Sequence, residues 1–301
     1  MCPFSFFRLN NILFAENCMK KIPFALATYF VLLEVIAWAV LFPSVSFSEE
    51  SFWKEVDEGL FVGEFDPHLK LKIKDSKVTI VKIDPKFYSF KLLCASEHGR
   101  VRMTARKWCE KFNLIATINA GMFQKDGFTN VGLMKNFTHL NNPRLNNNYK
   151  AVLAFNPIES NFPEIQIIDL KCQDIEKIRP KYQTLIQNIR MISCRQENVW
   201  IQQDKVWSMA VFGMDKSGNA LFIFTEAPYS GHDFVNILLS LPVSIFNALY
   251  LEGGPEASLF FSSKGVEFER VGIYETGFQE NSSKAVAWPI PNVIGITKKT
   301  R

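Results

Sequence analysis

The chain has 301 residues, 48% of them hydrophobic and 28 of them Phe, with a formal net charge of +4. That length buries a full apolar core, as one large domain or two small ones. Near-balanced charge with no concentrated Lys/Arg stripe excludes the electrostatic footprint of a nucleic-acid-binding protein.

The amino end reads as a targeting segment spanning residues 1–48. Lys20 and Lys21 supply a positive region, Ile22 to Val45 is apolar apart from Thr28, Glu34, Pro43 and Ser44, and Ser46-Phe47-Ser48 offers a small-residue cleavage site. Residues 1–18 precede this pattern awkwardly, which makes Met19 a candidate initiator. Two readings stay open: a cleaved signal peptide, or an anchor that holds the chain to a membrane through residues 22–45. Glu34 within the span would cost a few kcal/mol in a bilayer and favours cleavage. Either reading places residues 49–301 outside the cytoplasm, in the periplasm or secreted.

Next in order, Gly59 to Phe65 is strand-like. Lys77 to Ile83 alternates, is turned by Asp84-Pro85, and is expected to return as a hairpin through Tyr88 to Cys94. Thr104 is placed to cap a helix running to about Phe112, with Ala105, Trp108, Cys109 and Phe112 on one face. Leu114 to Asn119 is a strand that stops on a polar residue and then Gly121. The Asn- and Gly-rich stretch from Gln124 to Lys150 reads as a long rim loop, unusual enough to be functional.

Ala151 to Asn156 and Ile165 to Leu170 are strands, and Asp174 caps a short helix that Pro180 breaks. Met191 to Ser193, Trp207 to Met214 and Leu221 to Thr225 are strands, the last two joined by Asp215-Lys-Ser-Gly218. Ser230 caps the strongest helix, His232 to Leu241, whose Phe234, Ile237, Leu238 and Leu241 form one apolar stripe. Ile245 to Leu251 leads into a second acid-then-glycine turn, Glu252-Gly253-Gly254. Ser258 to Phe261 and Val293 to Thr297 supply further strands. Strands run together with few helices between them. The expected fold is therefore α+β, a mixed, largely antiparallel sheet core with a few packed helices in a single compact domain. Cys94, Cys109, Cys172 and Cys194 follow the targeting segment and form either two disulfides, with three possible connectivities, or ordinary buried thiols.

Two short apolar strands that each end on a polar side chain and glycine carry the functional signal. Glycine lets a ligand approach the main chain, and a sheet rim holds the polar group rigidly. Together with Val131-Gly132-Leu133, Gln187 to Ile192, Phe212 to Gly218, Ser230-Gly231-His232-Asp233-Phe234 and Ala248 to Ser258, they resemble the phosphodiester glycosidase domain family over roughly residues 115–262. The resemblance implies an exported hydrolase of glycosyl-1-phosphodiesters, akin to exopolysaccharide-associated members. It implies Glu252, Asn119, Arg190 and Asp215 as catalytic candidates. Gly121, Met122, Phe123, Gln187, Asn188, His232, Asp233, Gly253 and Gly254 are the substrate-binding candidates. The partner is a carbohydrate phosphate or a glycan.

Two departures from the family pattern matter. Its acidic turn is usually Asp-Gly-Gly, and an arginine often precedes the strand matching Val211–Asp215, where this chain has Val206-Trp207-Ser208-Met209. Arg190 or Arg195 is the replacement candidate. In the expected chemistry Glu252 polarises water or stabilises the transition state, while Arg190 and Asn119 hold the phosphodiester. The leaving phosphate, with a second pKa near about 6, needs donors around it more than a strong acid. The other reading is a non-catalytic glycan-binding or polysaccharide-assembly module, with Phe123, Phe128 and Tyr229 stacking on sugars. His68, His98 and His139 lack ligand spacing, so no cofactor or transition metal is expected; a hard divalent cation bound by amide and carboxylate oxygens stays open.

Overall fold

The computed structural model describes residues 52–67, 77–273 and 286–300. The targeting segment and the Met19 start lie outside the described residues. Among the described residues no helix is long and apolar enough to cross a membrane.

The strands are β1 (Trp53–Asp57), β2 (Leu60–Phe65), β3 (Val78–Ile83), β4 (Tyr88–Cys94), β5 (Ala116–Asn119), β6 (Met134–Asn136), β7 (His139–Asn142) and β8 (Ala151–Pro157). They continue as β9 (Ile165–Asp169), β10 (Tyr182–Ile192), β11 (Trp207–Asp215), β12 (Ala220–Tyr229), β13 (Ile245–Gly253), β14 (Ser258–Ser263), β15 (Val266–Val271) and β16 (Asn292–Lys298). Among the described residues three α-helices accompany them: α1 (Ala105–Lys111), α2 (Ile175–Ile178) and α3 (Gly231–Ser240).

An 11-stranded sheet runs β1-β2-β3-β12-β11-β13-β10-β6-β7, with β8 on β10 and β9 on β8; a 5-stranded sheet runs β15-β14-β5-β16-β4. The largest apolar cluster draws Val81, Phe212, Phe222 and Leu249 from the first sheet and Phe90, Ile118, Phe261 and Ile294 from the second, so it lies between them. Phe212 and Phe222 meet there with ring centroids 5.8 Å apart. Truncating either to Ala would cost about 3–5 kcal/mol through lost transfer energy and the cavity left behind.

Each sheet's outer face is covered by a helix. Phe234, Val235, Ile237 and Leu238 of α3 pack on Ile80, Val211 and Ile223 of the large sheet. Ala105, Trp108 and Cys109 of α1 pack on Leu93, Phe260 and Val293 of the small one. Both helices start where the caps predict: the Lys107 N–H donates to Thr104 Oγ1, and the Asp233 N–H donates to Ser230 Oγ.

Three expectations are corrected. Strand outweighs helix, 48% to 12%, so the chain is strand-dominated rather than an α+β balance. Among the described residues every strand pairing is antiparallel, so the sheets are not mixed. The Asp84-Pro85 turn does not close a hairpin. β3 pairs with β2 and β12 while β4 pairs with β16, so the turn carries the chain from one sheet to the other. Tyr88, Phe90 and Leu92 thereby enter the inter-sheet core from the small sheet, in the same cluster as Val81 and Phe212 of the large one.

Of the cysteines, Cys172 and Cys194 form a disulfide while Cys94 and Cys109 are buried thiols. The Gln124–Lys150 stretch is more ordered than a loop, since it contains β6 and β7.

Candidate functional site

The two glycine turns meet at one rim of the sandwich. Asn119 ends β5, and its side chain spans to the turn after β13: Nδ2 donates to the Glu256 carbonyl at 2.9 Å and Oδ1 accepts the Ser258 N–H at 2.7 Å. Asn188 on β10 reaches the same corner by donating Nδ2 to the Ala120 carbonyl at 2.8 Å. A Cβ on Gly121 would lie 2.6 Å from both Asn130 Oδ1 and Asn188 Oδ1. Glycine there is what lets those two amides close in.

Glu252 sits in this corner because of a bulge. Ala210 of β11 is opposite Glu252, while the next residue, Val211, is opposite Tyr250, leaving Leu251 extra on β13. A bulge of this kind re-aims side chains. Glu252 thereby registers with Ala210, a residue of the inter-sheet core, instead of following Tyr250 toward the α3 side. It is only 8% exposed. Its Oε1 accepts the Gly253 N–H at 3.1 Å.

Burial is the first cause of its electrostatics, and it pushes the Glu252 carboxyl up to about 8; the Gly253 N–H opposes this weakly and Glu256 adds to it. Among the described residues, no lysine or arginine figures in that balance. Burial, with Glu252 as a second cause, also raises the phenols of Tyr149 and Tyr250, which places both rings within its electrostatic reach.

Aromatic rings crowd the same rim. Trp207 Nε1–H donates to Tyr250 Oη at 3.1 Å, and Trp200 meets Tyr250 with centroids 5.4 Å apart. A Cβ on Gly253 would lie 2.1 Å from Tyr250 Oη and 2.3 Å from the Trp207 ring. Gly254 follows at φ +64, a left-handed conformation that favours glycine and starts a tight turn through Glu256.

Opposite these rings stands a wall of amides. Continuing the β10–β13 register from Ile189↔Tyr250 brings Gln187 level with Glu252. Gln187 is buried and its amide is fully used: Oε1 accepts the N–H groups of Leu133 and Asn146, and Nε2 donates to the carbonyls of Asn146 and Tyr149. It is what fixes Tyr149 beside Glu252.

The remaining sequence candidates lie elsewhere or serve the scaffold. Arg190 Nη1 donates to both oxygens of buried Asp169 at 2.7 and 2.8 Å. It stands opposite Leu249, three residues and so about 10 Å before Glu252 along β13. Arg195 adjoins Gln196, which donates to the Ile245 carbonyl at the far end of β13.

Asp215 ends β11 opposite Ile245, about 17 Å along the strand from Ala210. Its carboxylate accepts from Ser217 N–H, Asn219 N–H and Asn219 Nδ2, the work of a turn organiser. Asp233 accepts a hydrogen bond from Ser230 Oγ and completes the α3 cap. His232 is 3.5 Å from Asp233, and its neighbour Gly231 lies against Trp200, which packs on Tyr250. Met122 packs toward the α3 cluster, and Phe123 bridges Asn130 across the hairpin that continues from the Gly121 turn. Tyr229, offered as a sugar platform, is buried and stacked on Phe234.

Tyr149, Trp200, Trp207, Tyr250 and Asn130 escaped the sequence reading. Trp200 and Trp207 did leave a signal, since two tryptophans flanking a polar stretch are costly unless they meet something apolar. Among the described residues, one grouping carries metal-type ligands, Asp169 with Cys172 and Cys194, and its two cysteines are bonded to each other.

The fold and site define an antiparallel two-sheet sandwich with a buried acid, amides and indole rings gathered at one rim. The chain belongs to the phosphodiester glycosidase family, whose pattern matches residues 112–297. Among solved structures it resembles a hypothetical protein from Synechocystis at 14% identity and a TM-score of 0.55, covering 80% of this chain and 62% of that one. The chain thus spans less than two thirds of that protein's length. It also resembles the zebrafish N-acetylglucosamine-1-phosphodiester alpha-N-acetylglucosaminidase catalytic domain, auto-inhibited by its pro-peptide, at 13% identity and a TM-score of 0.51, covering 80% of this chain and 82% of that one. At such identities the likeness speaks to fold alone. No curated protein matches the chain in sequence.

Proposed function

We propose that the protein is an exported hydrolase that cleaves the bond between a sugar's anomeric carbon and a phosphodiester in an envelope or exopolysaccharide polymer. The observation that carries this reading is Glu252, a family-motif acid buried at the rim with its pKa raised to about 8. At neutral pH burial favours its protonated, neutral form. Ionised, it would repel the phosphodiester; protonated, it stands beside that anion without penalty and donates to it. Donors of this kind, preorganised in a dry site, stabilise the charge that develops on a leaving group.

In the step we assign, the anomeric C–O bond breaks and the bridging oxygen leaves with the phosphate, taking the Glu252 proton. Water adds to the oxocarbenium-like carbon and returns a proton to Glu252, giving a reducing sugar and a phosphomonoester. Trp200 and Trp207, both part-exposed, provide apolar faces for the sugar, and buried Tyr250 holds them through its hydroxyl and ring. Asn119 supports the corner through the Glu256–Ser258 turn instead of touching substrate, while Arg190 is committed to Asp169 away from it. Export is supported by the Cys172–Cys194 disulfide, which persists in oxidising compartments.

A glycan-binding module without turnover is favoured by one observation: Arg190 is committed to Asp169 and Arg195 lies at the far end of β13. Release of p-nitrophenyl phosphate from a panel of sugar-1-phospho-p-nitrophenyl diesters separates the two readings. Turnover that vanishes in Glu252→Gln supports the hydrolase; a folded protein silent on every sugar supports the binding module.

A further inference from the structure

The rim around Glu252 holds donors and rings, yet no cation figures in that carboxyl's electrostatics. Three arginines are committed to carboxylates: Arg190 to Asp169, Arg106 to Glu267 and Glu269, Arg270 to Glu64. Arg144 is not. It is exposed, and among the described residues its guanidinium meets no partner. Its backbone is fixed nonetheless, because the Arg144 N–H donates to Asn142 Oδ1 at 3.0 Å.

Arg144 borders a cavity of about 480 Å³ between the hairpin that follows Gly121 and the segment 141–146. That size lies within the range of small-molecule sites. Two further lining groups are unspent. Gln124 uses Nε2 on the Asn130 carbonyl at 3.1 Å, which leaves its Oε1 as an acceptor. Asn146 uses Oδ1 on the Asn148 N–H at 3.0 Å, which leaves its Nδ2 as a donor. A cation and a donor on the segment 141–146 with an acceptor on the hairpin suit a phosphoryl group attached to a hydroxylated chain or ring.

One chain of contacts links the cavity to the candidate active site. Asn146 lines it, Gln187 grips both Asn146 and Tyr149, and Tyr149 lies within the electrostatic reach of Glu252. We propose that this cavity is the leaving-group subsite, in which Arg144 binds the phosphoryl oxygens and Gln124 and Asn146 bind hydroxyls of the sugar or polyol beyond them. The proposal rests on the reading of Glu252 as the acid at the glycosyl–phosphate bond. It adds the chemistry of the other half of the substrate: a phosphorylated polyol, not an apolar alcohol.

The test is calorimetric titration of glycerol 3-phosphate, with glycerol as the neutral control, into the full chain and its variants. The subsite predicts that glycerol 3-phosphate binds while glycerol does not. Arg144→Ala weakens it about tenfold or more, Arg144→Lys recovers part of the loss, and Lys216→Ala at the far end of β11 has no effect. Equal binding to wild type and Arg144→Ala overturns the proposal, as does a loss of equal size in Lys216→Ala. Because the readout needs no turnover, the two claims fail separately. Arg144-dependent binding in a chain that hydrolyses no diester leaves the subsite standing and removes the hydrolase. Diester hydrolysis with KM unchanged in Arg144→Ala keeps the hydrolase and removes the subsite.

Discussion

Asn119 donates its amide to the Glu256 carbonyl at 2.9 Å, and this one contact fastens the end of the small sheet to the turn that carries Glu252 out of the large one. The same amide accepts the Ser258 N–H at 2.7 Å, so both of its polar atoms are committed to buried main chain. Leaving such groups unpaired costs about 1–3 kcal/mol. Asn119→Ala is therefore expected to lower stability by about that amount in urea titration. It should also lower activity, through a displaced Glu252. Asn119→Asp keeps the acceptor but sets a second oxygen against the Glu256 carbonyl in a buried corner, and is expected to lose at least as much.

The pKa of Glu252 sets a pH dependence with a definite sign. Its carboxyl is raised from an ordinary 4.5 to about 8. Between those values the folded chain holds a proton that the unfolded chain has released, so this group's contribution to stability is full below 4.5 and falls as pH rises toward 8. The slope is at most about 1.4 kcal/mol per pH unit. Glu252→Gln keeps a neutral side chain at every pH, so the variant is expected to gain on wild type steadily across that window in paired denaturant titrations. For the reaction, kcat/KM is expected to be flat at low pH and to fall through about 8. A rate that rises through 8 would make Glu252 a base.

Gly253 tests the aromatic wall. Its backbone is extended, at φ −143, so an added Cβ brings no backbone strain. It brings a collision, with Tyr250 Oη at 2.1 Å and the Trp207 ring at 2.3 Å. Gly253→Ala is expected to change tryptophan emission, to break the Trp207–Tyr250 hydrogen bond and to reduce turnover about a hundredfold, the scale of a misplacement near 1 Å.

The disulfide lies away from this chemistry. Cys172 and Cys194 close a loop with a sequence separation of 22, for which the chain-entropy argument gives about 3 kcal/mol. Cys172→Ser with Cys194→Ser is expected to lower Tm while leaving the pH–rate profile unmoved. Cys109, pushed up to about 12 by burial, and the buried Cys94 are expected to resist alkylation until the chain unfolds.

Both glycine turns were legible because a buried apolar run that halts on one polar residue and glycine has few explanations. Helix α3 was legible from its stripe and from Ser230. The amino half of β10 was not: the sequence reading began at Met191, yet the strand begins at Tyr182. Thr184, Gln187 and Asn188 are polar and fully buried, and their hydrogen bonds to Asn136, Asn146 and Ala120 make that burial tolerable. Those partners are 41 to 68 residues away, beyond any periodicity. The hairpin expected at Asp84-Pro85 failed for a related reason, since local turn chemistry does not say which sheet the next strand joins. Asn119 and Arg190 stood out in the sequence as donors, but a sequence carries no record of whether an amide or guanidinium is already occupied. The occupants, Ser258 and Asp169, are long-range neighbours.

The central claim is that water attacks the sugar carbon and not the phosphorus, with Glu252 supplying the proton. Hydrolysis of a turned-over diester in ¹⁸O-labelled water, read by mass spectrometry of the phosphomonoester, tests it most directly. The account predicts a phosphate free of label and no product from Glu252→Gln. Label in the phosphate, or undiminished product from the variant, would contradict it.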